Sequence, residues 1–248
     1  MNPIISSFEN IKSLIGISNS NVKIIAVSKT FSYDHISPLV DHGHLHFGEN
    51  KVQEAQSKWS DLKKNKPNIN LHMIGKLQSN KAKEAVKIFD YIHSLDSQKL
   101  ANILAKQENI YNKKLKYFIQ VNIGNENQKA GIGINLLDDF YYYCVKELKI
   151  NIIGLMAIPP NDGKADDYFK KLMELNKLLG LKELSMGMSS DFKIALNYET
   201  TFVRIGSAIF LHIAKKNYTP TKGCIGVTRK NIILIAKKID DKTKIIIN

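Results

Sequence analysis

At 248 residues, 44% of them apolar, the chain has the length and composition of one large α/β domain or two modest ones. Its formal charge of +13 comes from lysines scattered among Ile and Asn, with two arginines, Arg204 and Arg229, and no dense basic run, so nucleic acid is not an expected partner. No apolar run approaches the ~20 residues of a membrane span, the start lacks the pattern of a secretory signal, and two cysteines (Cys144, Cys224) make no disulfide framework; the reading is a soluble cytoplasmic protein.

Residues 4–15 carry apolar side chains at helical spacing and predict a leading amphipathic helix. The stretch VKIIAVSKT (22–30) follows, an apolar run that stops abruptly at Ser28 and Lys29 and fits a strand buried on both faces. Tyr33 to Asp41 predicts a short helix. LHFGEN is a brief strand ending at Asn50, with a polar helix through Trp59 behind it. LHMIG is a third strand, and SNKAKEAVKIF its helix, with Ser79 as the expected N-cap. YIHSLD is a fourth strand before a helix from Ser97 to about Asn109, and LKYFIQVNI is the fifth. LLDDFYYYCVKEL predicts a helix leading to a sixth strand, INIIGLMAI. A helix over Ala165–Leu179, a seventh strand (ELSMGM), a short helix over Asp191–Leu196 and an eighth strand (TFVRIG) complete the series.

Eight strands alternating with helices predict an α/β fold, a single parallel (β/α)8 TIM-type barrel. The competing open doubly wound sheet calls for a glycine-rich turn after its first strand, and SKTFSYD has none. A barrel collects functional groups at the C-terminal ends of its strands. Lys29 ends the first, Asn50 follows the second, and Gly75, Gln78 and Asn80 follow the third. Met156 lies near the end of the sixth, Ser189 and Ser190 follow the seventh, and Arg204, Gly206 and Ser207 finish the eighth. A lysine where a buried strand emerges is expected between apolar walls, where desolvation favours the free amine needed for carbonyl chemistry. Small residues after the last two strands offer N–H groups and hydroxyls to an anion. Together they describe a site for a phosphorylated carbonyl compound. The plainer alternatives stay open on these residues alone: a surface lysine, a core arginine paired with a carboxylate, and ordinary turn residues at Ser189 and Gly206.

The segments IIAVSKT, FGENKVQEA, HMIGKLQSNK, VNIGNENQKAGI, GLMAIPP, LSMGMSSDF and VRIGSAIF resemble, in order and spacing up to about Phe210, the pyridoxal 5′-phosphate (PLP) homeostasis proteins of the YggS/PROSC family. That family is similar to the barrel domain of alanine racemase and lacks the racemase's second, β-rich domain. The resemblance implies that PLP is the cofactor and that Lys29 carries it as a Schiff base. It further implies phosphate contacts from Ser189, Gly206 and Ser207, Arg204 facing the pyridine nitrogen, and Asn50 and Met188 lining the pocket. An arginine at that nitrogen is always charged and resists its protonation, which weakens the ring as a sink for carbanions. With no racemase-type second domain to supply an acid–base tyrosine, the expectation is a monomeric PLP carrier and buffer without catalytic residues or metal, whose recipients are PLP-dependent apoenzymes. A racemase-like enzyme is the alternative.

The family pattern ends near residue 210, and this chain continues. GSAIFLHIA followed by TPTKGCIGV is similar to the active-site end of L,D-transpeptidases of the YkuD type, with His212 and Cys224 at the positions of base and nucleophile. The sequence thus divides into a barrel over 1–210 and an atypical extension over 211–248. Cysteine acyl transfer from the tail is a further alternative, but only the closing part of that fold is present, so the tail is read as a non-functional appendage. A helix over 230–238 and a strand from Lys244 are expected within it.

Overall fold

The computed structural model describes residues 2–18, 21–126 and 128–210. The expectations for the tail, His212 and Cys224 among them, lie outside the described residues. The chain divides into two compact units, the first of which ends at Ile209.

After helix α1 (Pro3–Ser18) comes β1 (Lys23–Val27), whose last four residues are all buried. Cover on both faces is what a strand needs when helices flank a parallel sheet. The strands β2 (His46–Glu49), β3 (Asn70–Met73), β4 (Tyr91–Leu95), β5 (Lys116–Gln120), β6 (Ile152–Met156), β7 (Glu183–Met188) and β8 (Phe202–Ile205) follow in sequence order around a closed barrel. β8 pairs in parallel with β1, with Ile25 opposite Arg204 and Ala26 opposite Ile205. The (β/α)8 barrel is therefore the architecture, and the open sheet is excluded by this last pairing.

The intervening helices are α2 (Tyr33–Asp41), α3 (Val52–Asn65), α4 (Ala82–Ile88), α5 (Gln98–Tyr111), α6 (Leu137–Tyr142), α7 (Ala165–Leu178) and α8 (Phe192–Ala195). In α3 the buried residues Val52, Ala55 and Trp59 recur at spacings of three and four, one face of a helix laid on the sheet. Ser97, expected as the first residue of this helix, instead caps α5, its hydroxyl accepting from Leu100 N–H at 3.4 Å. Ser79 does not cap α4: it opens a 3-10 turn, Ser79–Lys81, and Lys81 takes the cap position. α6 runs on as a π-helical turn over Tyr143–Glu147, so the single helix expected there changes its winding halfway.

Side chains alternate across a strand, which puts every second residue on the barrel axis. Ile25, Tyr91, Phe118, Met156 and Phe202 meet there as one buried cluster. Each such side chain contributes about 2 kcal/mol of apolar burial. Met156 belongs to this core, which corrects the expectation that it sits at the functional face.

Candidate functional site

β1 ends at Val27, and the same inward face continues to Lys29. The backbone on either side of that lysine is held by α3. Lys58 Nζ donates to the carbonyl of Ser28 at 2.7 Å, and Glu54 accepts from the N–H of Thr30. Lys58 also donates to Glu54 at 3.2 Å and to Glu49 at 2.9 Å, so one lysine ties β2, α3 and the end of β1 together. Glu49 Oε1 further accepts from Ser28 Oγ at 2.8 Å and from Trp59 Nε1 at 2.9 Å. Burial pushes the Glu49 carboxyl above its ordinary range, against Lys58, Trp59 and Ser28, which draw it down. Thr30 has φ 67°, a left-handed conformation costly for a β-branched residue. It turns the chain sharply away just after Lys29.

On the other side of the barrel seam stands Arg204, only 4% exposed. Its NH1 donates to Ser185 O at 2.8 Å and Ser185 Oγ at 2.7 Å, and its NH2 donates to Ala157 O at 2.9 Å. Among the described residues no carboxylate lies within ion-pair distance of it. Burial pulls its pKa down to about 10, with the charge of Asp191 working the other way. A guanidinium still charged at neutral pH is thus held by neutral acceptors, with its charge uncompensated among the described residues. The carboxylate-paired core arginine is not what the structure contains.

Both residues open on one cavity of about 630 Å³. Lys29, Asn50, Met188 and Ser189 line it together with Arg204, Gly206 and Ser207, so the residues named through the family resemblance are brought to one place. Val27, Ile74 and Ile158 supply apolar wall, and Ser190 adds a hydroxyl. Gly75, Gln78 and Asn80 are not among the lining residues. Gly75 serves differently: a Cβ there would come within 2.6 Å of the Asn50 carbonyl, so glycine lets the loop after β3 pass close behind Asn50. The N–H of Gly206 donates to Ser189 Oγ at 3.3 Å, which fastens the end of β8 to the loop after β7. Gly187, at φ +90° within β7, lies where the pairing with β8 shifts register, with Ala195 and Phe192 so near that no side chain fits.

Lys29 is exposed. The enclosure between apolar walls expected from its strand-end position is absent, although Val27, Ile74 and Ile158 line the same cavity. What positions it is the clamp from α3. Sequence reasoning did not single out Glu49, Glu54, Lys58 or Trp59. Glu54 and Lys58 at i and i+4 were the readable signal, since that spacing places them on one helix face.

A closed parallel barrel with a lysine after its first strand, an arginine on its last and small residues beyond the final two strands defines a class. The alanine racemase N-terminal domain model matches residues 7–213. The pyridoxal phosphate homeostasis protein of Vibrio cholerae is 36% identical over 220 residues, 84% of this chain and 92% of that one. Its Escherichia coli K12 counterpart is 34% identical over 79% of this chain and 87% of that one. The solved structure of PipY from Synechococcus elongatus with PLP bound is 33% identical, with a TM-score of 0.76 over 84% of this chain and 99% of that one. Alanine racemase of Clostridium difficile shares the fold alone, at 14% identity and a TM-score of 0.68. The chain belongs to the pyridoxal phosphate homeostasis protein family.

Proposed function

We propose that the cavity binds PLP and that the protein holds and releases this cofactor in the cytoplasm without turning over a substrate. The observation that carries the reading is the convergence of Lys29, Arg204 and the Ser189–Gly206–Ser207 end on one cavity of about 630 Å³. That volume falls within the range of small-molecule sites.

The residues present fit the group. Lys29 lines the cavity and would hold the cofactor through its primary amine, the group that the PLP aldehyde would engage when bound. Ser189 and Ser207 offer hydroxyls and Gly206 a backbone without side chain, which suits a phosphate. Arg204, a cation at neutral pH, would face the ring nitrogen and disfavour its protonation. Asn50 and Met188 would line the ring's pocket. An unprotonated ring withdraws electrons poorly, so the site favours carriage over carbanion chemistry. The relatives' names, homeostasis proteins and not enzymes, support the same side. Apoenzymes that require PLP are the recipients this reading implies, and a single chain supplies the whole site.

PLP titration of the full-length protein, followed by borohydride reduction and peptide mapping, tests the anchor. The expected result is a pyridoxyl adduct on Lys29 and loss of the visible band in Lys29→Ala. An adduct confined to other lysines would refute the site. Racemisation of amino acids faster than free PLP achieves would overturn the carrier reading and favour a racemase-like enzyme.

A further inference from the structure

Arg204 is the end of a longer series. Ser185 Oγ, which accepts from Arg204 NH1, lies 2.9 Å from His93 Nδ1. His93 Nε2 lies 2.9 Å from His72 Nδ1, and His72 Nε2 lies 3.0 Å from His46 Nδ1. Ser185, His72 and His93 are wholly inaccessible to solvent. His46, the first residue of β2, is partly exposed at the barrel mouth opposite the cavity. Aromatic rings fix the imidazoles: His72 stacks on Tyr91 at 4.2 Å and His93 on Phe118 at 4.3 Å.

The direction of this series follows from its ends. A guanidinium can only donate, so the Ser185 oxygen is an acceptor toward Arg204. Among the described residues the Ser185 hydroxyl hydrogen has one acceptor available, His93 Nδ1. Were that nitrogen protonated, a fully buried hydroxyl would be left with no acceptor, which is unfavourable. His93 Nδ1 is therefore an acceptor and its Nε2 carries the hydrogen. His72 Nδ1 accepts it, and His72 Nε2–H in turn donates to His46 Nδ1. Extra protons are resisted from all sides. Burial holds His72 and His93 well below the ordinary histidine range, and Arg204 adds to this at His93. Lys23 and Lys116 act the same way on His46 and Lys63 on His72, with Asp90 the opposing charge at His46.

We propose that Ser185, His93, His72 and His46 form one directed hydrogen-bond chain, every imidazole neutral and protonated on Nε2, whose role is to position Arg204 against the ring of bound PLP. The proposal rests on the cavity being the PLP site. A carboxylate in the place of Ser185 would hold the arginine and also cancel its charge. Neutral links hold the guanidinium while leaving its charge for the cavity. Ser185 and the histidines touch no ligand in this scheme and act through Arg204, as positioning residues.

The chain is tested first without cofactor. Long-range proton–nitrogen spectra of the full-length protein at neutral pH should show His46, His72 and His93 as neutral Nε2–H tautomers. An Nδ1–H tautomer or a cation at His72 or His93 overturns the chain, whatever the cavity binds. The second arm reads PLP affinity and the visible spectrum in Ser185→Ala and Ser185→Thr. Loss of the hydrogen bond to a charged group should weaken binding about tenfold or more and shift the band in the alanine variant, and threonine should restore both. Wild-type affinity and spectrum in Ser185→Ala would overturn the positioning role. A wild-type protein that takes up no PLP would refute the reading of the cavity and leave the tautomer result standing.

Discussion

Lys29 is placed by its neighbours more than by its own contacts. The carbonyl before it is fixed by Lys58 and the N–H after it by Glu54, so the backbone carries the precision of its placement. Thr30 bears the strain of this arrangement at φ 67°. Replacing it with glycine should remove a left-handed cost of about 1–2 kcal/mol and add some chain entropy to the unfolded state. Thr30→Gly is thus expected to raise stability by about 0.5–1 kcal/mol, read from urea denaturation midpoints. A loss of stability would mean that the threonine side chain itself holds the turn. Lys58 stands differently, because its partner Glu49 is wholly buried and Lys58 itself is 6% exposed. Lys58→Met leaves that carboxylate without its cation and should destabilise the protein by about 3 kcal/mol, measured the same way.

At the scale of elements, strands were the most legible part of the chain. Runs such as KIIAV declare themselves because a strand covered on both faces has no room for polar residues except at its ends. Helix starts were less legible: Ser79 has the chemistry of a cap, but a 3-10 turn intervenes and moves the cap to Lys81. The cavity residues could be read because they fall at strand ends, and a barrel gathers those ends on one face. The groups that hold them could not. Glu49 points outward to Trp59 while its neighbours Gly48 and Asn50 belong to the opposite face, and only the register of β2 decides which is which. The histidines of LHFGEN, LHMIG and YIHSLD occupy inward positions for the same reason. One histidine in each of three strands was the signal, and it becomes readable only once β2, β3 and β4 are known to stand side by side.

For the whole molecule, desolvated imidazoles contribute to the response to acid. The pKa of His44 is pulled from an ordinary 6.5 to about 4, first by burial, and His46 falls equally far for the same first cause. An unfolded chain takes up protons at these sites below pH 6.5 and the folded one does not until about pH 4. Their contribution to stability is accordingly present above pH 6.5 and is lost as the pH falls toward 4. Glu49 and Asp96, whose carboxyls burial pushes up, act in the opposite sense. His44→Gln isolates one contribution. Its stability relative to wild type, from urea midpoints at stepped pH, should improve steadily between pH 6.5 and 4, and a constant difference would refute the assignment.

The seam between β1 and β8 joins Ile25 to Arg204 across nearly the full length of the barrel sequence. During synthesis, then, Lys29 leaves the ribosome among the first residues of the domain and waits for almost all the others before its cradle exists. A nascent or prematurely terminated chain that stops short of β8 presents Lys29 with neither Arg204 nor the Gly206–Ser207 segment. On the proposed reading, a fragment that lacks the eighth strand has no competent PLP site and should not draw on the cofactor pool.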